Sequence, residues 1–164
     1  IRNHKENIAI GFVGFRVIAG VFQLIGVILL PIFIYLSQQY LNSTSSNLPY
    51  FQNIGEILKL VRDLTNHFGV MLATGVGNLF LYYTFFDGQH IPKWLSIWGI
   101  AGNLLIMLAS FLILFQLIEV ISSEYAIMTI PLVLQEIVLA FWLIVKGLNL
   151  SMTIQNFEKS KMKV

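Results

Sequence analysis

The amino-acid sequence predicts an all-α polytopic transmembrane bundle, with four membrane-crossing helices and an interfacial or extending helix near residues 50–66. Three observations predict it. Of 164 residues, 57% are hydrophobic and only 11% are charged, whereas soluble domains run roughly 45–50% apolar and about 25% charged. Four stretches reach or approach the about 20 mostly apolar residues that a membrane helix needs. No long run of period-two alternation appears, which disfavours a β-barrel. Ten basic and eight acidic residues cannot cover a soluble chain of this length. A net charge of +2 is also no basic field for nucleic acid. The absence of cysteine removes disulfides, thiolate metal sites and cysteine nucleophiles together.

The first predicted span, Ile8–Leu36, is long enough to tilt or to project beyond the bilayer. It is no signal peptide: its apolar run exceeds 7–15 residues and carries no A-x-A cleavage pattern. Pro31 lacks an amide hydrogen and is expected to kink this span near its far end. Residues 37–67 read as the one sizeable loop. Its first part, Asn42–Asn47, is turn-like, while Phe51, Ile54, Ile57, Leu58, Val61 and Leu64 fall on one side of a helix. That helix either lies at the interface, on lipid or on the bundle, or extends the next span. The second span is Phe68–Phe86, the third Trp94–Ile118 and the fourth Ile127–Val145. Asp87–Lys93, with Gly88 and Pro92, makes a tight connector, and Ser122–Glu124 separates the last two spans. Pro131 is expected in the first turn of the fourth span, where proline is tolerated. Trp94, Trp98, Trp142, Tyr82 and Tyr83 fall near span ends, where amphipathic rings prefer to lie.

Four spans put both termini and the 87–93 connector on one side. That side carries Arg2, Lys5, Lys93, Lys146, Lys159, Lys161 and Lys163, against Lys59 and Arg62 on the other. The bias places the termini in the cytoplasm.

A charge inside hydrocarbon costs several kcal/mol, so it needs a partner or a water-filled cavity. Arg16 in span one and Glu136 in span four are the two such groups. At about 1.5 Å per residue they lie roughly 12 and 15 Å from the cytoplasmic side, levels that allow a direct ion pair or one shared aqueous pocket. Structure alone could retain such a pair, because removing one member costs about 3–5 kcal/mol; functional use is the rival explanation. On span one, Ala9, Arg16, Ala19, Gly20 and Gln23 share a side that reads as a packed interior face. On span two, Asp63, His67, Thr74, Asn78 and Tyr82 form a polar stripe, with Gly69, Ala73 and Gly77 as a separate small-residue stripe. On span three, Ser96, Gly99, Asn103 and Ser110 align. A polar bundle centre follows, although interhelical hydrogen bonding alone accounts for Asn78, Asn103 and Ser110.

Arg62, Asp63 and His67 gather at the outer mouth of span two. An Asp–His pair at i, i+4 can relay protons or hold a ligand, or it is a solvated pair at a helix end. No metal site is predicted, because His4 and His90 fall on the opposite side from His67. There is no HExxH, GxSxG, Walker loop or GxGxxG, so neither catalytic residues nor a cofactor are predicted.

Four strings carry a family resemblance: Gly11-Phe12-Val13-Gly14-Phe15-Arg16-Val17-Ile18; Arg62-Asp63 with His67-Phe68-Gly69; Ile91–Gly99; and Leu134–Gly147. Together they resemble the bacterial multi-pass membrane family catalogued as domain of unknown function 4386. The resemblance implies a bacterial plasma membrane and a six-helix domain, with about two helices before Ile1. It implies no activity. It sets Arg16, Arg62, Asp63, His67, Gln135 and Glu136 inside family-like strings. Relatives often place an acid directly after the first string; Ala19 stands there in this chain, which puts more weight on Glu136 as the partner of Arg16. The candidate polar core is therefore Arg16, Gln23, Asn78, Asn103, Gln135 and Glu136. The reading that follows is a small transport, permeation or sensing protein for a solute or protons. Its alternative is a non-catalytic scaffold or partner subunit whose polar core only specifies packing. The expected partners are the lipid bilayer and other membrane helices or further copies of the chain.

Overall fold

The computed structural model describes residues 2–43 and 47–148. Lys159, Lys161 and Lys163 of the orientation argument lie outside the described residues. The first helix, α1, runs Arg2–Asn42. Its 41 residues span about 60 Å, roughly twice the hydrocarbon thickness. It passes the predicted limits of 8 and 36 because nothing in residues 37–42 breaks a helix. Pro31 lies within it and does not end it.

The next helix, α2 (Leu48–Leu64), has proline in its first turn, where the missing amide is harmless. It passes through a π-helical turn, Thr65–Val70, into α3 (Met71–Gly88). Residues 37–42 and 48–67 are thus helical and not loop; the extension of span two is what forms. Helix α3 ends on Gln89, in the left-handed region at φ 51°. The amides of Gln89 and His90 donate to the carbonyls of Phe86 and Phe85, closing a Schellman motif. Helix α4 (Lys93–Leu114) ends in the same way on Gln116, at φ 56°, with Gln116 donating to Ile113 and Leu117 to Leu112. It therefore stops short of the predicted Ile118. The signal was hidden because glutamine, rather than glycine, occupies the left-handed position.

Helix α5 (Ser123–Lys146) is capped by the Ser122 hydroxyl, which accepts from the Tyr125 amide at 3.2 Å. Glu124 in its first turn and Lys146 in its last complement the helix dipole. Since α5 starts at Ser123, Pro131 sits beyond its first two turns and not in the first turn. Among the described residues, four helical stretches are long and apolar enough to cross a membrane: Glu6–Asn42, Leu48–Gly88, Lys93–Leu114 and Ser123–Lys146. The chain is an integral membrane protein.

The central helix is α3, packed on α1 to one side and on α4 to the other, and α4 in turn carries α5. The packing is small residue against large. Gly69 faces Phe22 of α1, where a Cβ would lie 2.7 Å from the ring, and Gly77 faces Phe15 at 3.3 Å. Gly26 approaches Asn66, and Gly102 approaches the backbone of Leu132 in α5. The small stripe Gly69, Ala73 and Gly77 is buried as expected, and it receives α1. The face of α1 that packs shares Ala19 with the predicted one but is otherwise different, however. It is Gly11, Phe15, Ala19, Phe22, Gly26 and Leu29, at steps of three and four, while Ala9, Arg16 and Gln23 are exposed. In a bilayer both faces of a helix leave an equally apolar surrounding, so close fit selects the contact more than polarity does.

Gly69→Ala should lower stability in detergent by about 1–3 kcal/mol through overpacking against Phe22. Gly14→Ala, with nothing within 4 Å, should be neutral or stabilising. Thermal unfolding of the two variants checks this, and indistinguishable melting would contradict the packing.

Candidate functional site

Asn78 and Tyr82 project from α3 one turn apart and organise two layers of hydrogen bonds. In the first layer, Arg16 Nη2 of α1 donates to Asn78 Oδ1 at 2.7 Å. Asn78 Nδ2 donates to Asn103 Oδ1 of α4 at 3.1 Å. Asn103 Nδ2 donates to the Gly99 carbonyl at 2.7 Å. The Arg16 guanidinium also lies 5.3 Å from the centre of the Phe12 ring, a cation–π distance. In the second layer, the Tyr82 hydroxyl donates to Gln135 Oε1 of α5 at 2.7 Å, and Gln135 Nε2 donates to the Leu95 carbonyl of α4 at 3.3 Å. Tyr82 reaches this place because α4 has no side chain at Gly99; a Cβ there would lie 2.5 Å from the tyrosine ring. Asn103 and Gln135 are completely buried and Tyr82 is 2% exposed. Tyr82 is thus a core residue and not an interfacial anchor.

Asn78, Asn103 and Gln135 of the predicted polar core come together. So do Ser96 and Ser110 of the α4 stripe, both buried. Ser110 donates to the Ile106 carbonyl at 2.9 Å. Ser96 Oγ, among the described residues, is a buried polar atom with no hydrogen-bond partner. Of the other candidates, Arg16 alone joins this core, through its bond to Asn78. Gln23 and Glu136 are exposed, and so is Arg16 apart from its bond to Asn78. The expected Arg16–Glu136 ion pair does not form: Arg16 donates to Asn78 instead, and an ion pair is found at Arg62–Asp63, at 4.0 Å. The reason lies in the packing. Helices α1 and α5 make no extended contact, and Asn78 takes the guanidinium. Glu136 follows Gln135 on α5, so when Gln135 points into the core its neighbour turns outward.

At the opposite end, His67 sits in the π-helical turn. Its Nδ1 is 2.9 Å from the Tyr125 hydroxyl of α5, with the two rings edge to face at 5.4 Å. Asp63 and Arg62 act on the imidazole only through space. The wider turn offsets the face of α2 from that of α3, and such turns recur at functional sites. Tyr125 was missed because nothing in the local pattern of α5 marks it as a partner for span two. Arg62 instead lines an open cavity of about 770 Å³ with Lys59, Glu56 and Gln52 of α2 and Leu30 and Phe33 of α1. Among the described residues no group of three His, Cys, Asp or Glu could hold a metal. The amide core, for its part, offers neutral donors and acceptors that are already spent on one another. Its chemistry is that of a clasp.

The family model described as "Domain of unknown function (DUF4386)" matches residues 1–147. No curated protein and no solved structure matches the chain.

A double-mutant cycle on Tyr82→Phe and Gln135→Leu should give a favourable coupling of about 0.6–1.7 kcal/mol in reversible unfolding, the range of interhelical hydrogen bonds in bilayers. Strictly additive losses would show that the two side chains do not meet.

Proposed function

We propose that this chain, which belongs to the DUF4386 family, is a non-catalytic membrane assembly module: a closed helical bundle that offers exposed intramembrane charges to other membrane segments. One observation carries the reading. The buried amides and Tyr82 satisfy one another and backbone carbonyls, Ser96 Oγ being the unpartnered buried side-chain atom among the described residues, while Glu136 is exposed and Arg16, itself exposed, touches that core only through Asn78. A carrier gathers its ionisable groups around an interior pathway. Here the interior amides hold four spans in register, and the charges are left for a partner. The basic bias of the 88–92 end supports placing that end, with both termini of this chain, in the cytoplasm. The family resemblance supports a bacterial plasma membrane.

A second reading, sensing or permeation of a solute or protons, draws on the His67–Tyr125 contact at the π-helical turn. It uses the far end of the bundle and leaves Arg16, Gln23 and Glu136 outside the pathway.

In mild-detergent extracts the wild-type chain should run in a particle heavier than one chain. Glu136→Gln should shift it to a lighter particle while its circular dichroism and melting stay unchanged. In liposomes neither protein should raise proton or solute flux above that of empty vesicles. A pH-dependent wild-type flux, whether or not Glu136→Gln changes it, would overturn the assembly reading in favour of transport.

A further inference from the structure

We infer that the open cavity between α1 and α2 holds the headgroup of an ethanolamine phospholipid, its phosphate on Lys59 and Arg62 and its ammonium on Glu56. The site is separate from Arg16 and Glu136 and stands without the assembly reading. Its walls are of two kinds. Gln52, Glu56, Lys59 and Arg62 recur at steps of three and four along one side of α2 and are exposed, while Leu30 and Phe33 of α1 face the same space of about 770 Å³. One charged wall and one apolar wall suit an amphiphile better than a soluble ion.

The register of the two helices is fixed at three points. Gly26 approaches Asn66, Gly55 approaches Leu36, and Gln52 donates to the Tyr40 hydroxyl at 3.4 Å. This antiparallel register sets Leu30 near the level of Arg62 and Phe33 near that of Lys59. The depth of the site follows from the shorter helices. Phe111, in the last turn of α4, packs edge to face on Phe68, and Tyr125, in the first turn of α5, meets His67. Both helices therefore stop near the level of His67. The 22 residues of α4 measure about 33 Å, close to the hydrocarbon thickness of about 30 Å. Beyond His67, Arg62, Lys59 and Glu56 follow at roughly 8, 12 and 17 Å along the helix axis, into and through the headgroup layer.

The order of charges matches the order of groups in the lipid. Outward from the hydrocarbon the cavity presents a cation, a second cation and then an anion; the lipid presents acyl chains, phosphate and then amine. Arg62 Nη1 lies 4.0 Å from Asp63 Oδ1, too far for a hydrogen bond, so the guanidinium fork is available to phosphate oxygens. Lys59, one turn away, adds a point charge to the same phosphate. Glu56 selects the headgroup. A primary ammonium donates to a carboxylate, a quaternary one has no N–H to donate, and a glycerol headgroup offers no positive charge.

The test uses the full-length protein in detergent micelles. It is titrated with a short-chain diacyl phosphoethanolamine, its phosphocholine and phosphoglycerol counterparts, and free phosphoethanolamine, with bound lipid read by native mass spectrometry. The ethanolamine lipid should bind about tenfold or more tighter than either counterpart, the difference made by one charge-assisted hydrogen bond. Lys59→Gln and Arg62→Gln should weaken all three lipids. Glu56→Gln should weaken the ethanolamine lipid about tenfold and leave the phosphocholine lipid unchanged, which also shows that this variant folds. Equal binding of ethanolamine and choline lipids by the wild type, or a preference that survives Glu56→Gln, overturns the inference. Free phosphoethanolamine that displaces the lipid at equal concentration overturns it too, by assigning the site to a soluble compound.

Discussion

Inside a bilayer core a polar side chain has no water to fall back on, so each one drawn into the bundle must find its hydrogen bond there. That constraint organises this protein around Asn78. One amide accepts from α1 through Arg16 and donates to α4 through Asn103. A turn away, Tyr82 and Gln135 add α5 to the same α3–α4 seam. Apolar packing in lipid carries little directional information, since a leucine leaving acyl chains for another helix exchanges one apolar surrounding for another. The hydrogen bonds supply what packing lacks. Asn103 reaches Asn78 at one depth and Gln135 reaches Tyr82 at another, so sliding α3 or α4 along its axis breaks bonds in both layers, and sliding α1 or α5 breaks one.

Glycine is what brings the partners close enough. The backbone of α4 at Gly99 makes room for the Tyr82 ring, and that placement aims the hydroxyl at Gln135. Gly69 and Gly77 let the phenylalanines of α1 settle against α3, holding Arg16 at the level of Asn78. Backbone economy and polar satisfaction are therefore one design. Each small residue permits the approach that a neighbouring amide then fastens.

Much of this was legible in the sequence. The four apolar stretches, the connector at 87–93 and the alignment of Ser96, Gly99, Asn103 and Ser110 follow from hydropathy and helical spacing, both local properties. The Asn78–Tyr82 stripe and the small stripe of span two were readable for the same reason. Pairings between helices were not. Depth put Arg16 and Glu136 at matching levels, but depth does not say which direction a side chain faces. On α5 the inward position belongs to Gln135 and not to its acidic neighbour. The packed face of α1 was hidden because phenylalanine rings set against glycine leave no polarity signature. The π-helical turn was hidden as well. Thr65–Val70 contains no breaker, and the extra residue in the turn appears only in its hydrogen bonds. It turns His67 toward Tyr125, a partner 58 positions away in the chain.

The outcome is a bundle with a quiet interior: neutral amides sealed within, a cation held at their edge by Asn78, and an anion exposed on α5. The claim on which this picture depends is that Asn78 holds Arg16. Solid-state NMR can measure the distance between the labelled Arg16 guanidinium nitrogen and the Asn78 side-chain oxygen or carbon in lipid bilayers. The account predicts hydrogen-bond contact, with nitrogen and oxygen near 2.7 Å. A guanidinium found remote from Asn78, and bound instead to Glu136 of its own chain, would contradict it.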